Sequence, residues 1–171
     1  MPPSTLGLAL RSLFWALLFP GFFAGYVPWR WFGVRDIVLD GRQPRHWLGV
    51  IAIGFGVLLL AICVVEFAHR GRGTLSPADP PRKLVVQGPY RWVRNPMYLA
   101  VTLILLGEVL LTRSPGLLLY WVLWFAVVNL FIRAYEEPSL RRQFGAEYER
   151  YTAAVPRWLP RSRPWQPDSV A

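Results

Sequence analysis

Two short stretches hold most of the residues able to do chemistry. In the first, Glu136 and Glu137 stand side by side, with Arg133 just before them and Asn129 one to two turns earlier on a similar helical face. Charged groups at the end of an apolar helix are expensive in lipid, so a carboxylate pair there that faces the bundle is a functional candidate. Arg133 lies three and four positions before the pair, and a helical ion pair is the competing reading. The second stretch is Gly88-Pro89-Tyr90-Arg91-Trp92-Val93-Arg94-Asn95-Pro96-Met97-Tyr98. Gly88-Pro89 marks a turn, because Gly accepts positive φ and Pro presets the next φ. Asn95-Pro96 marks a helix start, with Asn as N-cap and Pro at the first helical position. An exposed helix N-terminus flanked by Tyr90, Arg91, Arg94 and Tyr98 suits an anionic group such as a carboxylate. The same residue types also mark a membrane border.

The elements that must position these stretches are apolar. The chain has 171 residues, 54% hydrophobic and 15% aromatic, with only 17% charged and a mean hydropathy of +0.30. That leaves too little polar surface for an aqueous globule. Four runs approach the roughly 20 apolar residues that cross a bilayer as helix. They are Ser12 to Trp29, Trp47 to Val65, Pro96 to about Thr112 (interrupted by Glu108), and Ser114 to Ile132. The join Arg113-Ser114-Pro115 is short enough to make the last two an antiparallel hairpin. Cys63 is the one cysteine, which excludes a disulfide scaffold, and Cys63, His46 and His69 are too few for a structural zinc site. No metal is expected.

The reading is therefore an all-α, polytopic membrane helix bundle forming a single domain. Its spans run over about 12–29, 47–68, 96–112 and 114–135, with a loop over 69–95 and a C-terminal cap over 138–160. The cap predicts an amphipathic helix, since Leu140, Phe144, Tyr148 and Tyr151 recur at helical spacing. Such a helix lies on the membrane or lids the bundle. Gly145 inside it is a mild weakness of about 1 kcal/mol. Pro156, Pro160, Pro164 and Pro167 make the rest a non-helical strap with an untethered end. The loop and tail carry twelve basic residues, against five on the opposite side, which orients both toward the cytoplasm. Basic residues facing an anionic leaflet account for the net charge of +9 without nucleic acid.

The blocks Leu84-Val85-Val86-Gln87-Gly88-Pro89-Tyr90-Arg91-Trp92-Val93-Arg94-Asn95-Pro96-Met97-Tyr98, Glu136-Glu137, Phe144-Gly145-Ala146-Glu147-Tyr148-Glu149-Arg150-Tyr151 and Val155-Pro156 come in a specific order and spacing. Over roughly residues 66 to 160 the chain resembles the isoprenylcysteine carboxyl methyltransferase and phospholipid methyltransferase group. The resemblance implies S-adenosylmethionine at the cytoplasmic mouth of the bundle of an integral, plasma-membrane enzyme, and a lipophilic acceptor entering from the bilayer. It implies cofactor contacts from Lys83, Leu84, Val85, Gly88, Tyr90, Asn95, Pro96, Met97, Tyr98 and Glu136. Glu136 would pair with the cofactor's ammonium, and Tyr90 and Tyr98 would offer ring faces to adenine or the sulfonium. The chain departs from the group twice. Asn95 stands where a histidine is frequent, which removes a titratable side chain. Ile132 aligns with an arginine that binds the substrate carboxylate, with Arg133 beside it.

Arg94 and Arg133 are expected to orient an anionic acceptor or the cofactor carboxylate. Glu137 is the nearest candidate base should the acceptor be an amine. The acceptor stays open between an isoprenylcysteine-like carboxylate and another small lipid. The competing readings are a membrane reductase of the steroid or sterol type using NADPH, and a non-enzymatic membrane adaptor. Glu108 is expected to pair with Arg113 or face the bundle interior.

Overall fold

A computed structural model describes residues 18–70 and 84–166, without the side chains of 67–70. These residues form an all-helical bundle. The helical chain passes through a π turn at Phe22–Tyr26 into α1 (Val27–Trp31). Next come α2 (Pro44–Arg70), α3 (Pro96–Thr112) and α4 (Pro115–Phe131). A second π turn, Ile132–Glu136, leads without a break into α5 (Glu137–Phe144), and α6 (Ala146–Ala154) closes the helical part. Two helices, Pro44–Glu66 and Pro115–Phe144, are long and apolar enough to cross a membrane, and α3 is apolar but shorter. The first expected span is described only from residue 18, where it is helical through Trp31.

Both π turns sit just ahead of a proline, Pro28 in one case and Pro138 in the other. A proline in an α-helix has no N–H to donate, and its ring collides with the carbonyl four residues back. Widening the turn relieves both problems, so Val27 N–H bonds Phe22 O and Glu137 N–H bonds Ile132 O, five residues back in each. The Phe23 carbonyl, left without an intrahelical donor by Pro28, accepts the Tyr120 hydroxyl at 2.9 Å. At the second turn the extra residue lets adjacent carboxylates, Glu136 and Glu137, both turn away from lipid. Pro138 therefore neither ends the span nor opens a separate helix.

The α2–α3 contact is set by small residues that let backbones approach. A Cβ on Gly107 would lie 2.6 Å from the Gly49 carbonyl and from Ile53 Cγ1, and one on Gly56 would lie 2.8 Å from the Ala100 carbonyl. Backbone carbonyls cannot step aside as a flexible side chain can. Gly107→Leu is expected to cost about 3 kcal/mol by overpacking, read as a lower unfolding midpoint in detergent. An unchanged midpoint would mean the two helices separate freely.

The α3–α4 hairpin forms as expected. Arg113 takes φ +52°, Ser114 Oγ accepts the Leu117 amide at 3.3 Å, and Arg45 donates to the last carbonyls of α3, Leu110 O at 3.0 Å and Leu111 O at 3.1 Å. Glu108 is buried at 6% exposure and faces the interior, while Arg113 is exposed, so the two do not pair.

The cap departs from one amphipathic helix. Gly145 adopts φ +50°, ψ −127° and breaks it into α5 and α6, so its glycine is a required hinge and not a mild weakness. Tyr148, Tyr151 and Val155 are buried against Leu84, Val86, Leu140 and Trp165, so the cap lids the bundle. The strap is non-helical as expected and is tied down by backbone bonds, while its end from Pro167 on lies outside the described residues. Arg94 N–H bonds Pro156 O at 2.9 Å, Arg161 N–H bonds Trp92 O at 2.9 Å and Trp165 N–H bonds Arg91 O at 2.8 Å.

Candidate functional site

The two chemistry-bearing stretches meet at one end of the bundle. The segment ahead of α3 makes a 3-10 turn, Gly88–Arg91, and then enters the helix at Pro96. Gly88 takes φ +53° with Glu66 of α2 packed against it, where a Cβ would lie 3.1 Å from Glu66 Cγ. The dihedral disfavours any side chain, and a Cβ would also press on the Glu66 side chain. Tyr98, in the first turn of α3, donates its hydroxyl to Glu136 Oε2 at 3.0 Å. Tyr90 is half-buried as a residue and lies beside Cys63, with Glu136, Tyr98 and Tyr151 as electrostatic neighbours, and desolvation of its phenol holds it protonated well above the usual range. The result is a carboxylate lined by neutral phenols. Oε2 of Glu136 accepts the hydrogen bond from the Tyr98 hydroxyl, and no described side chain donates to Oε1.

Glu137 has a different role from its neighbour. Arg157, on the strap, grips it through both oxygens, Nε to Oε1 at 2.8 Å and Nη2 to Oε2 at 2.9 Å. Arg94 Nη1 adds a third contact at 3.2 Å. The side chains of Glu137 and Arg94 are 8% and 12% exposed, so this network is desolvated and holds the strap onto the bundle. The Glu137 hydrogen bond pushes the Arg157 pKa up further. Tyr151 completes the closure by donating to the Tyr90 carbonyl at 2.7 Å. Removing that hydroxyl in Tyr151→Phe leaves a buried carbonyl without its donor and is expected to cost about 1 kcal/mol. Chemical denaturation checks this; no change would show that water replaces the phenol. Burial also raises the Tyr148 and Tyr151 pKa values. A raised pKa means that the folded state holds protons the unfolded chain releases. Stability is then full below the unfolded phenol pKa of about 10 and falls as pH rises through the folded values.

Leu84, Gly88, Tyr90, Asn95, Met97, Tyr98 and Glu136 all fall at this end. Lys83 lies outside the described residues. Val85 and Pro96 are at the same end and are buried. Asn95 does not cap α3; its side chain makes no cap bond and instead donates from Nδ2 to the Arg157 carbonyl at 3.3 Å. The three residues expected to be catalytic are placed as follows. Glu137 pairs with both Arg94 and Arg157, while Arg94 keeps its Nε buried without a hydrogen-bond partner. Arg133 is exposed on the outer side of the π turn, away from buried Ile132 and Glu137. In place of an Arg133 pair, Glu137 meets Arg94 from the segment ahead of α3 and Arg157 from the tail. Sequence reasoning missed Arg157 and Trp158, whose one local signal is their place directly after Val155-Pro156.

A half-buried carboxylate and phenols at one end of a bundle with two helices long and apolar enough to cross a membrane describe a membrane protein with a polar site at one end of its helices. A model of the family described as phospholipid methyltransferase matches residues 44–147. The chain belongs to that family. A Haemophilus influenzae protein described as uncharacterized is 41% identical over 63 residues, which are 37% of this chain and 100% of that protein. The Bacillus subtilis uncharacterized protein YpbQ is 27% identical over 110 residues, 63% of this chain and 65% of its own length.

Proposed function

We propose that this protein is an S-adenosylmethionine-dependent methyltransferase acting on a lipophilic acceptor, an isoprenylcysteine-like carboxylate or another small lipid. In this reading four helices cross the plasma membrane, and the Glu136 mouth opens to the cytoplasm. The orientation is supported by the basic loop and tail, and the chemistry by family membership. One observation carries the site: Glu136 Oε2 takes the Tyr98 hydroxyl while Oε1 receives no described donor, at a mouth formed by the Gly88 turn and the start of α3. The residues present fit the cofactor. Glu136 would hold its ammonium, Tyr90 and Tyr98 would present ring faces, and the first amides of α3 have no intrahelical acceptor and suit its carboxylate.

When bound, the cofactor would supply an electrophilic sulfonium methyl for in-line transfer to the acceptor's nucleophile, with a neutral thioether as the leaving group. The protein's share is placement and exclusion of water, worth several kcal/mol, roughly 7–11 in ideal cases. Glu137 is saturated by guanidiniums and Asn95 does not titrate, so neither supplies a base. An acceptor already anionic or neutral at its reacting atom therefore fits best. Calorimetry with S-adenosylhomocysteine, and with NADPH as the control, tests the reading together with labelled methyl transfer into a bacterial lipid extract. Binding of the homocysteine product with labelled lipid supports it; binding of NADPH alone, or of neither, refutes it.

A further inference from the structure

At the start of α2, the other end of that helix from Glu66 and the Glu136 mouth, lies a cavity of about 200 Å³ lined by Leu39, Asp40, Gly41, His46, Trp47 and Val50. Its polar groups are satisfied by one another. The Asp40 amide donates to His46 Nδ1 at 2.8 Å, and the Asp40 carboxylate accepts the Arg42 amide and Gln43 Nε2 at 2.9 Å each. The Trp47 indole N–H donates to the Gly41 carbonyl at 2.9 Å. What remains to line the cavity is apolar, so it offers water no partner and suits an apolar occupant. The volume is below the roughly 300–1,000 Å³ of pockets that enclose a whole small molecule, and it fits a segment of chain.

We propose that this cavity seats an acyl chain of an anionic phospholipid whose phosphate meets Arg42. The cavity opens on the side of α2 that α3 leaves bare. At about 100° per residue, Trp47, Val50 and Gly54 cluster on one face, while Gly49 and Gly56, which meet α3, lie on the other. Leu39, Trp47 and Val50 are exposed along this face. The face continues as a track, because a Cβ at Gly54 would meet nothing within 4 Å, and a chain leaving the cavity can lie along the helix toward exposed Leu58. Trp47 stands in the first turn of a helix long and apolar enough to cross a membrane, which sets this level as the bilayer border, where phosphates lie. The charge at the rim is complementary. Arg45 is committed to Gln43 Oε1 at 2.7 Å and to the last carbonyls of α3. Arg42, directly after Gly41, is exposed, and its guanidinium has no partner among the described residues. The site does not depend on the methyltransferase reading.

The test is native mass spectrometry of the full-length protein in detergent, titrated without cofactor with phosphatidylglycerol or with phosphatidylcholine of the same chains. One phosphatidylglycerol should be held about fivefold more tightly than one phosphatidylcholine, the scale of a single arginine against an anionic lipid. Arg42→Gln should remove that preference and leave phosphatidylcholine binding unchanged. Val50→Trp, which fills the cavity, should weaken both lipids about tenfold, as expected for displacing about two buried methylenes. Leu39→Ser removes one wall from an exposed position, should weaken both by less, and decides the matter if Val50→Trp fails to fold. Equal retention of the two lipids by the wild type, or retention unchanged in the cavity variants that fold, would make the contacts nonspecific and overturn the proposal. A lipid-free dimer that Val50→Trp breaks would give this face to a second copy of the chain and overturn it as well.

Discussion

Glu136→Gln is expected to weaken S-adenosylhomocysteine binding by about a hundredfold while leaving the unfolding midpoint in place. The substitution keeps shape and leaves an oxygen for the Tyr98 hydroxyl, 3.0 Å away, so the contact within the protein survives. What it removes is the charge opposite the ligand's ammonium. Truncating one side of a desolvated charge pair costs about 2–5 kcal/mol, and 1.4 kcal/mol corresponds to tenfold. Tyr98→Phe should cost less, about tenfold, because it loosens the carboxylate without neutralising it. Calorimetry beside a thermal melt separates the cases. Unchanged affinity in Glu136→Gln removes this residue from the site, and a collapsed midpoint shows that its role is structural.

Glu137→Gln should act in the opposite sense, with a large loss of stability. Its carboxylate joins Arg94 of the α3 approach to Arg157 of the strap, and the three side chains are 8%, 12% and 23% exposed. Neutralising it leaves two guanidiniums facing each other with little water, a situation that costs about 3–5 kcal/mol. The strap should then detach, detected as faster proteolysis between residues 155 and 166. The double variant Glu137→Gln with Arg157→Gln should lose less than the sum of the two singles, because one stranded charge disappears with its partner. A general base would behave differently: turnover would fall at an unchanged midpoint. That result would return Glu137 to catalysis.

Taken together these variants split an adjacent pair of identical residues into a ligand contact and a latch. The split follows from the π turn ahead of Pro138, which aims one carboxylate at α3 and the next at the strap. A regular helix would also separate adjacent side chains by about 100°, but the proline clash decides where the wider turn falls.

Much of this was legible in the chain itself, wherever the cause is local. A long apolar run has few soluble alternatives, so α2, the α3–α4 hairpin and the all-helical class follow from composition and run length. The Arg113-Ser114-Pro115 join reads directly as a tight reversal, and α3 spans the residues expected of it. Gly88 and Gly145 were visible as glycines, yet only Gly88 was read as a turn. Gly145 looked tolerable because propensity counts a glycine's average cost and not the bend demanded by packing Tyr148 and Tyr151 under the strap. Pairings across the chain were beyond such reading. Arg133 stood nearest to the glutamates in sequence, whereas the cation that holds Glu137 arrives from Arg157, twenty residues further on. Amino-acid order alone determined which segments are apolar, where turns can form and which side chains can carry charge. Which charge meets which was settled by the folded chain, because a desolvated ion takes whatever partner the tertiary path brings within about 3 Å, regardless of separation along the sequence.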